Sequence, residues 1–308
     1  MNSRAFGETI NYIVNFLSGK VQMKIPSYTL RVPEIQKSFC IFSSPHSGQA
    51  YDETFKNDYQ IEFLKLRSSE DAFVDQLLSQ VVDYGAQLLS ANVPRAFVDL
   101  NRSDDELDPD LILGLPNKFK NKRISSGLGV IPRVVANGTV IRRGKISIHE
   151  ANERLNQYYY PYHDKLTNIL RTTKENFGRA ILYDCHSMPQ DAVKSLGASW
   201  GKIPDIVLSD CYGKATDREI LDQTENAFKE QGFRVSINQP FSGGFITKHY
   251  GDPILNQDAI QIEINRSLYM NELKIEKADS FDDFKKVISK VFKKLAYIGR
   301  ESIKLAAE

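Results

Sequence analysis

The run Ala180-Ile-Leu-Tyr-Asp-Cys-His-Ser-Met-Pro189 constrains the fold more than any other stretch. It follows Gly178, begins apolar, turns polar and stops at a proline. That is the pattern of a buried strand running out into a loop. In open α/β sheets the carboxyl ends of the strands face the ligand crevice. Asp184 and His186 lie two residues apart, so they share a face while the strand lasts. A second run, Cys40-Ile-Phe-Ser-Ser-Pro-His46-Ser-Gly48, brings another histidine to a strand end. A third, Ile260-Gln-Ile-Glu263-Ile-Asn265-Arg266, alternates apolar residues with Gln261 and Glu263. Two histidines and several carboxylates can therefore converge at one sheet edge.

Helical and strand patterns alternate through the rest of the chain. Apolar periodicity predicts helices over 10–17 (Ile10, Ile13, Val14, Leu17) and 74–81 (Val74, Leu77, Leu78, Val81). Further helices are expected over 149–176, kinked at Pro161, over 216–231, and from about 280 through Leu295. Ser68 with Asp71, and Thr216 with Glu219, have the spacing of capping boxes. Strands are expected over 93–100, 206–209, 233–238 and 259–264. The segment 49–65 reads as a surface loop, and 103–147 as loops and short hairpins. The alternation predicts one α/β domain over 1–308, with a mixed, largely parallel sheet and helices on both faces. Residues 1–35 read as an N-terminal extension, and no Pro/Gly/Ser linker divides the chain.

Composition enters mainly by exclusion. Lys and Arg number 40 and Asp and Glu 39 in 308 residues, a formal net charge of +1. That balance gives no bulk electrostatic case for nucleic acid or an acidic membrane. No apolar run approaches a membrane span, and Glu8 among polar neighbours makes the start a poor secretory signal. Cys40, Cys185 and Cys211 are too scattered for a disulfide framework, which points to a reducing compartment and a cytoplasmic location. The expected partner is a small-molecule substrate.

A catalytic zinc site takes three protein ligands, commonly two His and a carboxylate, and keeps a fourth position for water. His46, His186, Glu70 or Asp71, and Glu263 can fill such a site and its acid–base role. Spacing alone leaves the bland readings open. His46 can be a turn residue, His186 a core histidine, Asp71 a helix-start cap and Asn101-Arg102 a surface turn. Cys185 cannot pair with His186, because neighbours on a strand point to opposite faces.

Eight blocks, in order, carry a resemblance. They are Ser44-Pro-His-Ser-Gly48, Glu70-Asp-Ala-Phe-Val-Asp75, Asp99-Leu-Asn-Arg102, Gly127-Leu-Gly-Val-Ile-Pro-Arg133, Tyr160-Pro-Tyr-His163, Asp184-Cys-His-Ser-Met-Pro189, Asn238-Gln-Pro-Phe-Ser-Gly-Gly244 and Gln261-Ile-Glu-Ile-Asn-Arg266 with Leu268-Tyr-Met. Together, over about 40–272, they resemble the N-formylglutamate amidohydrolase family. The resemblance implies a zinc-dependent hydrolase of zinc carboxypeptidase-like fold with one Zn2+ per chain. Its reaction would cleave N-formyl-L-glutamate, or a related N-formyl or N-acyl amino acid, in histidine breakdown. His46 and His186 would bind metal with Asp71 or Glu70, and Glu263 would be the general base. Asn101 and Arg102 would hold a substrate carboxylate, and Arg133 and Arg266 a second carboxylate or the oxyanion. Gln49 departs from the carboxypeptidase pattern, since a ligand carboxylate is expected three residues after the first histidine. The resemblance moves that ligand to the region of Asp71. The alternative is a catalytically inactive binding or regulatory relative of the same fold.

Overall fold

The computed structural model describes residues 25–51, 59–116, 121–197 and 203–299. Its strands, in chain order, are β1 (Tyr28–Arg31), β2 (Cys40–Ser44), β3 (Gln87–Ala91), β4 (Val134–Val135), β5 (Thr139–Val140), β6 (Ala180–Met188), β7 (Ile206–Ser209), β8 (Val235–Ile237), β9 (Gln257–Asn265), β10 (Met270–Asn271) and β11 (Glu276–Lys277), the last two pairing with each other. Seven of them form a sheet in the order β1-β3-β2-β6-β9-β7-β8. Neighbours are parallel except at β1 with β3 and β7 with β9. The mixed, largely parallel sheet expected from the alternation is present. β4 and β5 form a separate short hairpin within the expected loop region.

The paired strands β6 and β9 are the spine of the sheet, and both are buried along their length. Helices cover both faces, as a mainly parallel sheet requires. On one face Ile181, Tyr183, Cys185, Ile260, Ile262 and Ile264 join a core with the helices Arg218–Lys229 and Phe281–Leu295. On the other, Ala180, Leu182 and Ala259 pack with Ile41, Leu89 and the helix Tyr160–Phe177. This second face changes character halfway along. After Leu182 come Asp184 and His186, and after Ala259 come Gln261 and Glu263, all buried. The register sets Asp184 beside Gln261 and His186 beside Glu263. A polar patch thus opens at the carboxyl end of the central strands, backed by an apolar face.

Several local expectations are corrected. The stretch 93–100 is a series of turns, and the strand is β3, just before it. Pro94 has no N–H to give a ladder. The stripe Val74, Leu77, Leu78, Val81 is fully buried, but only Val74–Leu77 is α-helical, followed by a 3-10 turn over Val81–Tyr84. Burial, rather than one continuous helix, explains that periodicity. Neither capping box forms. Ser68 closes the helix Phe63–Arg67, its hydroxyl donating to the Lys65 carbonyl at 2.6 Å. The Thr216 hydroxyl donates to the Ala259 carbonyl, and Asp217 stands at the N-cap position of the next helix without a side-chain capping bond. The long pattern at 149–176 breaks in a π turn over Leu155–Tyr159, just before Pro161, which cannot donate to the preceding turn. The helix expected over 10–17 lies outside the described residues. No described helix is long and apolar enough to cross a membrane.

Gly48 ties the His46 turn to the sheet. A Cβ there would stand 2.1 Å from the Val93 carbonyl oxygen, so only glycine lets these backbones approach. Gly48→Ala is expected to destabilise the protein by about 1–3 kcal/mol, the scale of forced overpacking. An unchanged midpoint in urea denaturation would contradict this close approach.

Candidate active site

His46 and His186 reach the patch from different strands. His46 follows β2 by two residues, on the turn begun by Pro45, while His186 is still within β6. Asp71 arrives from the segment after the helix Phe63–Arg67, and its N–H donates to the His46 carbonyl at 2.9 Å. The Ser47 hydroxyl donates to the Asp71 carbonyl. Just beyond, Phe73 has φ +67, a left-handed conformation uncommon for an aromatic residue, and its ring packs against Phe281. The three side chains then meet. Asp71 Oδ2 lies 2.9 Å from His186 Nδ1 and 3.3 Å from His46 Nδ1, and the two Nδ1 atoms are 3.1 Å apart.

The outer nitrogens are held by other carboxylates. His46 Nε2 lies 2.7 Å from Asp99 Oδ1, and His186 Nε2 lies 3.0 Å from Asp184 Oδ2. A carboxylate partner places the ring proton on Nε2 and leaves the Nδ1 lone pair facing inward. Two such nitrogens and one carboxylate oxygen, all buried, therefore point at one another. Lone pairs this close repel unless a cation sits between them. Ligands about 2.0–2.2 Å from a tetrahedral zinc are themselves about 3.3–3.6 Å apart, close to the observed spacing. The donor set fits a metal ion.

Charge at the site is strongly perturbed. Burial opposes ionisation of Asp71, yet His186 and His46 hold its carboxyl well below the usual range. Asp99 is likewise held low against its burial by Arg95, Arg102 and His46. Burial pulls the His186 pKa down, but Asp184, Asp71 and Glu263 outweigh it and raise it well above normal. The carboxylates thus call for positive charge at this point. Burial pushes the Glu263 carboxyl up to about 7, with His186 opposing and Asp71 reinforcing the shift. Gln261 holds that carboxylate, its Nε2 donating to Glu263 Oε1 at 2.8 Å. Gln261 Oε1 accepts the Gly244 N–H at 2.6 Å.

A cavity of about 630 Å³ opens over this group. His46, Asp71, His186, Glu263, Asn101, Arg102 and Arg266 all line it. Two expected residues do not belong to it in that way. Glu70 is buried beside Asp71 but is occupied by Arg67 and by the Tyr51 hydroxyl, at 3.0 and 2.6 Å. Arg133 is not part of the lining; its Nε lies 2.8 Å from Asp108 Oδ2. Arg266 lines the cavity, but its guanidinium donates to the Ser187 hydroxyl, the Ser68 and Glu70 carbonyls and Asp71 Oδ1. It orients Asp71. Asn101 is similarly engaged: Oδ1 accepts the Ile246 N–H, and Nδ2 lies against Asp184 and His186. His163 sits apart, its ring between the Tyr250 hydroxyl and the Leu100 carbonyl.

Arg95, Arg123 and Gln261 also line the cavity, and the sequence reading assigned none of them a role. Arg95 Nε donates to Asp99 Oδ2 at 3.0 Å. Asp99 accordingly joins His46 to an arginine. The spacing Arg95, Asp99, Arg102 in one segment was the available signal. Gln261, two residues before Glu263 on one strand face, was another.

The model of the N-formylglutamate amidohydrolase family matches residues 38–270. An N-formylglutamate deformylase of Pseudomonas putida is 30% identical over 235 residues, 75% of this chain and 82% of that protein. One from Pseudomonas aeruginosa is 26% identical over 266 residues, 85% of this chain and 94% of that protein. The crystal structure of an N-formylglutamate amidohydrolase from Ralstonia eutropha JMP134 aligns with a TM-score of 0.84 at 31% identity, covering 90% of this chain and 100% of that one. Sequence match and shared fold agree across most of the chain, which belongs to the N-formylglutamate amidohydrolase family.

Proposed function

We propose that this chain is a metal-dependent amidohydrolase that cleaves N-formyl-L-glutamate to formate and glutamate, using one zinc ion. The observation that carries the proposal is the inward convergence of His46 Nδ1, His186 Nδ1 and Asp71 Oδ2 beneath an arginine-lined cavity. These three residues would hold the metal. Zinc bound there would lower the pKa of a water and polarise a carbonyl. The deformylase relatives support the choice of substrate.

Each remaining role follows from a position on this chain. Glu263 Oε1 accepts from Gln261, so Oε2 is the oxygen left to take a proton from the attacking water. The same carboxyl then delivers that proton to the departing amine nitrogen. A carboxyl held near neutrality suits both halves of the transfer. Arg95, kept charged by Asp99 against its partial burial, brings positive charge beside Glu263 and Asp71 for the developing oxyanion. Arg102 binds a substrate carboxylate. Its Nε and Nη1 donate to the Leu128 and Asn101 carbonyls, which fixes the guanidinium plane, while Nη2 stands 3.9 Å from Asp99. A catalytically silent relative would have no need of a buried, near-neutral Glu263 beside the trio.

Two outcomes test this reading. Asp71→Asn should lose the metal, whereas Glu70→Gln should keep it, because Glu70 serves Arg67 and Tyr51; elemental analysis of the purified variants decides. Full metal in Asp71→Asn would remove Asp71 from the ligand set. Glu263→Gln is nearly isosteric and should keep metal and fold while formate release falls by about two to four powers of ten. Retained activity would assign the proton transfer to another group.

A further inference from the structure

We infer that Arg123 is the specificity-determining residue that binds the side-chain carboxylate of a dicarboxylic N-formyl amino acid, with Arg102 taking the α-carboxylate. The inference rests on the hydrolase reading above and deepens it.

Four arginines line the cavity: Arg95, Arg102, Arg123 and Arg266. Arg266 is bound to Asp71, Ser187 and two carbonyls, and Arg95 to Asp99. Arg102 has Asp99 and Glu106 beside it at 3.9 and 3.8 Å. Arg123 has no carboxylate partner among the described residues. It is exposed at the cavity, on the short helix Lys122–Ser125.

That helix is fastened to Arg102 through Leu128. The Leu128 carbonyl accepts Arg102 Nε at 3.0 Å, and the Leu128 N–H donates to the Arg123 carbonyl at 2.9 Å. Asn121, at the start of the helix, accepts the Ile124 N–H and donates to Glu106 Oε1. One loop therefore presents two guanidinium groups to one cavity. Asp99 favours the charge on Arg102, but its burial and the positive charges of Arg95 and Arg123 oppose it. A dianionic substrate relieves that crowding.

The order of the two arginines follows from the substrate's covalent structure. The α-carboxylate is attached to the carbon that bears the scissile amide nitrogen. It must bind near the reacting centre, and Arg102 adjoins Asn101, which touches His186. The side-chain carboxylate lies farther along the molecule, where the exposed Arg123 waits. Guanidinium binds carboxylates through two parallel bonds that an ammonium cannot reproduce.

The test compares N-formylglutamate with N-formylglutamine, which has the same shape without the second charge, on the metal-loaded enzyme. Arg123→Gln should raise KM for N-formylglutamate about ten- to a hundredfold, the scale of one charge-assisted contact. It should raise KM for N-formylglutamine far less, since a carboxamide oxygen makes only the weaker, uncharged contact, and it should leave the melting midpoint unchanged. Arg123→Lys should recover part of the loss. Arg102→Lys should impair both substrates, because both carry the α-carboxylate. Equal effects of Arg123→Gln on the two substrates, or none on either, would overturn the assignment while leaving the hydrolase reading intact. A wild-type enzyme that releases formate from neither compound would overturn both.

Discussion

Two imidazole nitrogens and a carboxylate oxygen held 2.9–3.3 Å apart, away from water, form an arrangement that does not hold itself together. Each is an electron-pair donor, and each must be restrained from outside. The restraints come from distant parts of the chain: Asp99 behind His46, Asp184 behind His186, and Arg266 behind Asp71. Removing one of these outer partners would free a ring to rotate or a carboxylate to turn away, without touching the trio itself. Outer partners of this kind typically change metal affinity by about ten- to a hundredfold.

The same outer groups join the trio to the rest of the cavity wall. Asp99 accepts from the Asn101 N–H and from Arg95 while it holds His46. Asn101 links His186 to the backbone of Ile246, and Gly244 is small enough to lie against the Asn101 amide, where a Cβ would come within 2.4 Å. Gly244 also holds Gln261, and Gln261 holds Glu263. Glu263, the two histidines, Arg95 and Arg102 thus belong to one hydrogen-bonded assembly. Its parts lie on β6, β9 and the segments that follow β2 and β3. Buried polar networks of this kind are stable only when every member is satisfied, which ties the geometry of the site to the integrity of the sheet.

Legibility in the sequence followed the range of the interaction. His186 and Asp184, or Glu263 and Gln261, share a face because a strand repeats every two residues, and that is a local rule. The apolar face behind them, with Cys185 among isoleucines, obeys the same rule. Capping boxes failed because Ser68 and Thr216 found carbonyl partners elsewhere in the structure. The strand expected over 93–100 failed because β3 pairs with both β1 and β2, a non-local choice, and ends before Pro94.

The residue types and spacing by themselves determined an α/β sheet with polar strand ends and a short roster of candidate ligands and arginines. Tertiary structure decided which members of that roster meet. Glu70 and Asp71 are adjacent in sequence, yet one turns to Arg67 and Tyr51 and the other to two histidines. Arg133 is drawn off by Asp108 and Arg266 is committed to Asp71, while Arg123, outside that roster, faces the cavity. Strand periodicity is carried by the backbone and can be read locally. The partner of a charged side chain depends on which remote segment folds against it, and no local rule contains that.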